Sequence, residues 1–264
     1  MNDDELLASR YAEIAASGDH TSTASDVQLR ELEIEYARGF IREGDRVLDV
    51  GCGMGYAAIE YAQIPGTRVA GLDYIRGMID QANSTLVDLP EDLGQRLEFI
   101  HGSVLELPFN AGSLDVVTSH RCLMALLTWE RQREALREIH RVLRPGGVLV
   151  LLEGTVEGLD RLNELRMAVG LSAIPADGRD RLLTRKFHEE ELLAFTDSLF
   201  TLTHRRGFGT YYFVGRVVHP LLVAPEPPRY DHPINAIARA LEQHLPNLVD
   251  CGHLQAFVLA KGVE

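Results

Sequence analysis

Residues 47–55 read Val47-Leu48-Asp49-Val50-Gly51-Cys52-Gly53-Met54-Gly55. An apolar strand, broken only by Asp49, runs into a turn with glycine at every second position. A helical pattern follows near 55–64. Glycine lets a chain turn sharply and lets a ligand approach the backbone closely. In an open α/β sheet the crevice at a strand's carboxyl end is where ligands sit. Asp49 stands just before the turn, where a carboxylate repels a pyrophosphate and attracts an ammonium group.

The next strand, Val69-Ala70-Gly71-Leu72-Asp73, ends in a second carboxylate, 22 residues beyond Gly51 (73 − 51). At that place a carboxylate accepts hydrogen bonds from both hydroxyls of a ribose. A dinucleotide fingerprint requires GxGxxG. Here the spacing is GxGxG, with Tyr56 where that fingerprint has its third glycine, and there is no phosphate-loop lysine. The turn therefore suits a ligand with adenosine at one end and an amino acid at the other.

Outward from this stretch, short apolar strands alternate with helices. Strands are expected at 46–50, 68–73, 97–101, 114–119 and 147–153, and helices near 55–64, 76–88 and 129–143. In the last of these, Gln132, Leu136, Ile139 and Leu143 share a face, and Pro145-Gly146-Gly147 stops it. This alternation indicates a parallel sheet covered on both faces. Ahead of it, Ser25 and Gln28 read as a capping box for a helix with Leu29, Leu32, Tyr36 and Phe40 on one face. Beyond 154 the pattern predicts helices near 158–169 and 188–197, a strand near 200–206, a helix near 234–244 and a last strand near 254–261. Prolines 220, 225, 227, 228 and 233 fit neither helix interior nor central strand, so 209–233 is expected to be irregular.

At these motifs the chain resembles the class I S-adenosylmethionine-dependent methyltransferases that act on small molecules. LDVGCGMG (48–55) resembles their first motif and GLDYIRGMI (71–79) their second. GSVLELPFNAGSLDVVTS (102–119) resembles the next two strands, and REIHRVLRPGGVLVLLEG (137–154) the helix, turn and fifth strand. The resemblance covers roughly 45–153, in order. It implies an α/β fold: a doubly wound, mostly parallel, Rossmann-like sheet of seven strands, the last antiparallel, with helical lid insertions. It divides the chain into an N-terminal helical lid (1–42), a cofactor-binding core (43–153) and the remaining elements (154–264), with an acceptor lid at about 209–250. The implied cofactor is S-adenosylmethionine, leaving as S-adenosylhomocysteine. Asp49, Gly51, Gly53, Gly55, Asp73, Tyr74, Ser103, Val104 and Ser119 are its expected contacts. Relatives often carry Asp after Gly102 to hold the adenine amino group. Here Ser103 replaces it, so that contact loses its charge assistance.

Methyl transfer is an in-line displacement that depends mainly on bringing acceptor and methyl together. A hydroxyl acceptor also gives up a proton, for which histidine is the usual base near neutral pH. His120 and Arg121 follow the fourth strand at the sheet's carboxyl edge. His120 is the first candidate base and His219 the second. Tyr36, Arg121, His188, Tyr211 and Tyr212 are candidate acceptor contacts, the two adjacent tyrosines because aromatic rings with polar tips suit a pocket for a ring-bearing molecule. No metal cluster is apparent.

Composition narrows the partners. With 39 Asp and Glu against 26 Lys and Arg, the net charge is −13, which speaks against nucleic acid as partner. Three scattered cysteines form no disulfide framework and suggest a reducing, cytoplasmic setting. No apolar run approaches membrane-spanning length. The expected reaction is methylation of a small molecule, most often at oxygen, in natural-product or glycan metabolism. Nitrogen or carboxyl methylation, nucleic-acid methylation and cofactor binding without catalysis are the alternatives.

Overall fold

The computed structural model describes residues 3–18, 25–175 and 184–263. In chain order its elements are α1 (Asp3–Ser17), α2 (Val27–Arg38), β1 (Arg46–Val50), α3 (Tyr56–Ala62), β2 (Arg68–Asp73), α4 (Arg76–Thr85), α5 (Glu91–Gly94), β3 (Leu97–His101) and β4 (Leu114–His120). Then come α6 (Trp129–Val142), β5 (Leu143–Gly154), α7 (Val156–Ala168), α8 (Glu189–Thr196), β6 (Phe200–Arg206), α9 (Gly209–Phe213), α10 (His219–Val223), α11 (Ile234–His244) and β7 (Leu254–Lys261).

The seven strands form one sheet in the order β3-β2-β1-β4-β5-β7-β6. β1 to β5 run parallel, and β7 lies antiparallel between β5 and β6. Strand alternation sends Val47, Val69, Val116, Val150 and Leu152 to one face, against α2, α3 and the segment after β6. Leu48, Val50, Leu72, Val117, Leu149 and Leu151 go to the other, beneath α6 and α8. Both faces are dry. Burying each such leucine or valine contributes about 1.5–3 kcal/mol. The chain leaves β1 toward β2 and β3 on one side and returns to β4 and β5 on the other. That reversal opens a crevice at the carboxyl ends of β1 and β4.

Several boundaries differ from the sequence reading. The cap of α2 is Asp26, whose side chain accepts from the Leu29 N–H, one residue beyond the expected Ser25. Helix α6 ends at Val142, and Leu143 already belongs to β5. Pro145 disfavours helical geometry at Arg144, so the chain extends before the proline rather than at it. Residues 209–223, expected to be irregular, are helical: α9 and α10 are joined by a π-helical turn, Val214–Val218. Pro220 falls in the first turn of α10, where its missing N–H costs little. Among the described residues, no helix is long and apolar enough to cross a membrane.

Candidate active site

A cavity of about 270 Å³ opens at the switch between β1 and β4. Its floor is the turn after β1. Gly51 and Gly53 have positive φ, and the Gly51 and Cys52 N–H groups both donate to the Leu72 carbonyl, at 2.7 and 3.1 Å. The turn is thereby tied to β2, next to Asp73. One Asp73 oxygen accepts from the Gly53 N–H at 2.9 Å and the other from the Ile75 N–H at 2.8 Å. A carboxylate offers about four acceptor sites, so both oxygens keep capacity toward the cavity that Asp73 lines. Burial pushes its carboxyl up, and the Ile75 and Gly53 N–H groups oppose that.

Asp49 is buried and accepts from the Thr118 hydroxyl at 2.8 Å. Burial raises its pKa, while His120 and then Thr118 pull it back down. A cationic ligand group beside it would relieve the burial penalty further. Around the cavity stand Tyr74, Ile75 and Met78 after β2, Ser103 and Val104 after β3, and His120, Arg121 and Cys122 after β4. Leu7, Ala8 and Tyr11 of α1 and Arg30, Glu33 and Ile34 of α2 also line it. These residues fit S-adenosylmethionine. Asp73 would hold the ribose hydroxyls, Asp49 the ammonium, and Ser103 and Val104 the adenine edge.

At the end of β4, His120 keeps 12% of its side chain exposed. Its Nε2 lies 2.6 Å from the Tyr61 phenol oxygen, and its Nδ1 lies 3.6 Å from the fully buried Glu33 carboxylate. The ring is thus hydrogen-bonded to the Tyr61 phenol through Nε2 and turns Nδ1 toward Glu33. Arg121, at a strained φ of 57°, donates to the same Glu33 oxygen at 3.0 Å. Burial works against the Arg121 charge, and Glu33 together with Tyr212, Asp26 and Tyr11 more than offsets it.

Residues 47–147 match the family model of a methyltransferase domain. Over that stretch the chain is similar to class I S-adenosylmethionine-dependent methyltransferases. It is 31% identical over 165 residues to a sterol 24-C-methyltransferase of Gibberella zeae, covering 62% of this chain and 41% of that one. Over 111 residues it is 35% identical to the 27-O-demethylrifamycin SV methyltransferase of Amycolatopsis mediterranei, covering 42% and 39%. The chain thus spans well under two thirds of these relatives' lengths. Its fold is similar to that of a putative methyltransferase of Haloferax volcanii, solved with the Trm112 methyltransferase activator. That match has a TM-score of 0.63 and 18% identity, covering 96% of this chain and 97% of the other.

Several site residues expected of a class I methyltransferase lie elsewhere. Gly55 does not line the cavity; a Cβ there would meet the Phe99 ring at 2.4 Å, so its missing side chain serves packing on β3. Ser119 is fully buried and donates to Glu153 at 2.7 Å, on the far side of β4 from Thr118. Among the described residues, none that lines the cavity lies beyond Arg131. Tyr36 packs edge-on against Phe40 and Phe208, with Arg206 over its ring. His188 precedes α8 and faces Glu157 at 3.4 Å. Tyr211 donates to Asp26, which also pairs with Arg216. Tyr212 is fully buried against Tyr211 and His253. His219 is buried against the His232 ring at 4.6 Å. The segment after β6 therefore braces α2 from behind rather than walling the cavity. The sequence reading expected a lid over 1–42 but named only Tyr36 from it; the lining residues it did not name are Leu7, Ala8, Tyr11, Arg30, Glu33 and Ile34. For Glu33 a signal existed: Leu29, Glu33 and Ala37 lie four apart, which puts a carboxylate inside the buried stripe of a helix.

Proposed function

We propose that this chain transfers a methyl group from S-adenosylmethionine to a small molecule, at an oxygen or another heteroatom, in natural-product or glycan metabolism. The observation that carries the reading is the pair Asp49, buried, and Asp73, half-buried, two carboxylates set on either side of the open Gly51–Gly53 turn. That pair suits a ligand with an ammonium at one end and a ribose at the other. The cofactor supplies an already activated methyl group. The chain's task is then to hold the two molecules in line and exclude water. Asp49 orients the amino-acid end and Asp73 the ribose. Leu7, Ala8 and Tyr11 of α1 act as the cover, a role that fits an N-terminal lid. The named relatives methylate small molecules at carbon and at oxygen, so they support the substrate class without choosing the atom. Calorimetry with S-adenosylhomocysteine and with NAD tests the reading. Micromolar binding of the first and none of the second is expected; the reverse preference overturns it.

A further inference from the structure

We infer that Glu33 is the catalytic residue that receives the acceptor, holding its O–H or N–H hydrogen on Oε1 and taking that proton as the methyl is transferred. This rests on the methyl-transfer reading above.

Glu33 is fully buried, and its Oε2 takes the Arg121 guanidinium, while Oε1 has no hydrogen-bond partner. Buried carboxylate oxygens are almost always partnered, so a lone one on a cavity wall calls for a donor from a ligand. Glu33 is among the residues that line the cavity, with Oε1 itself buried just behind its surface. Its position is also right for the reaction. In the β1–β4 register Val50 pairs with Ser119, which sets His120 abreast of Gly51. The His120 Nδ1 is 3.6 Å from Glu33. Glu33 therefore faces the cavity at the end of β4, beside the turn where the cofactor would lie.

His120 is less suited to the task. Its Nε2 is already hydrogen-bonded to Tyr61, and its Nδ1 faces the Glu33 carboxylate. In this arrangement it positions the carboxylate and does not collect a proton. Arg121 donates to Oε2 at 3.0 Å and balances the Glu33 charge out of water. The step balances simply. A bond forms between the acceptor heteroatom and the methyl carbon. The methyl–sulfur bond breaks, its electron pair remaining on sulfur, and the acceptor's proton passes to Oε1. An ionised carboxylate or phosphate has no hydrogen to give and would meet Oε1 with like charge. The acceptor class is therefore a neutral or cationic hydroxyl or amine.

The test compares wild type, Glu33→Gln and Glu33→Asp, each saturated with S-adenosylhomocysteine. The probes are phenol, hydroquinone, a methyl glycoside and benzylamine, each beside its O- or N-methylated counterpart. Thermal shift should favour the free hydroxyl or amine over its methylated form in wild type. That preference should vanish in Glu33→Gln and partly survive in Glu33→Asp, with S-adenosylhomocysteine affinity within about threefold of wild type. For any probe that turns over, Glu33→Gln should lower kcat by about 10²–10⁴-fold. An unchanged preference or rate in Glu33→Gln overturns the assignment. A crystal structure of the wild-type S-adenosylhomocysteine complex decides the matter if no probe binds or the variant does not fold. A water or ligand within about 3.2 Å of Oε1 supports the assignment, and a protein donor on Oε1, or no water or ligand in reach of it, overturns it. If wild type binds no S-adenosylhomocysteine, the methyl-transfer reading itself falls; if it binds and Glu33 is dispensable, only this inference does.

Discussion

The phenol of Tyr61 and the imidazole of His120 meet at 2.6 Å, one from α3 and the other from the end of β4. Tyr61 is fully buried, and burial pushes its phenol well above the ordinary range, with Asp49 and Glu33 adding to the effect. It therefore stays protonated and fixes the ring that faces Glu33. Tyr61→Phe should cost about 1–2 kcal/mol of stability and leave S-adenosylhomocysteine affinity nearly unchanged. Urea unfolding beside calorimetry checks both; a large loss of cofactor affinity would mean that Tyr61 acts on the ligand through more than His120.

Asp73 serves the turn and the cavity together. Asp73→Asn keeps the side chain's shape but removes its charge and half its acceptor capacity. S-adenosylhomocysteine binding should weaken by about 10–100-fold, the loss of one or two charge-assisted hydrogen bonds. Calorimetry reads this directly, and unchanged affinity would remove Asp73 from the ribose role.

The three glycines of the turn should separate by readout. A Cβ on Gly51 would lie 2.5 Å from the Cys122 Cβ, and one on Gly55 would lie 2.4 Å from Phe99. One on Gly53 meets nothing within 4 Å. Gly53→Ala should cost only about 1 kcal/mol, for its positive φ, while Gly51→Ala and Gly55→Ala should cost several. Binding should rank differently, because the space beside Gly53 is the cavity. Gly53→Ala is expected to fold well and bind S-adenosylhomocysteine poorly.

Glu153 is fully buried and accepts from Ser119 and from the Leu123 and Met124 N–H groups. Burial dominates, and its pKa is pushed up to about 7 from an ordinary 4.5. The folded state thus holds this proton more tightly than the unfolded chain. Its contribution to stability is full below pH 4.5 and is lost as pH rises toward 7. The loss should amount to about 3 kcal/mol. Glu153→Gln cannot ionise and should remove that component, which urea unfolding between pH 4.5 and 8 would reveal. A variant with the wild-type slope would assign the loss to another group.

Asp26 ties α2 to the segment after β6 through Arg216 and Tyr211. Arg216 keeps only 13% of its side chain exposed. Asp26→Ala leaves that guanidinium without its carboxylate, which costs about 3–5 kcal/mol. Because the cluster lies behind α2 and not on the cavity wall, Tyr211→Phe should leave cofactor affinity intact while lowering stability by about 1–2 kcal/mol. Loss of affinity in Tyr211→Phe would restore that residue to the site.

The sequence by itself determined the sheet's central strands, the turn after β1 and the placement of Asp49 and Asp73. These follow from local rules: apolar runs of strand length, glycine where φ must be positive, and a carboxylate at a strand's end. The terms of the β4 edge were legible too, since His120 and Arg121 follow directly from a strand. Only the tertiary structure decided what meets them there. Glu33 is 87 residues from His120 in the chain (120 − 33), and Tyr61 is 59 residues away. No local periodicity reports a contact at such separation. The same holds for Tyr211, Tyr212 and His219, whose aromatic and polar character suited a pocket wall equally well. Their place goes with Asp26, buried, and Arg216, mostly buried, two opposite charges 190 residues apart that pair there. Local sequence fixes which backbone conformations are cheap; packing and the cost of burying charge fix which side chains end up facing the ligand.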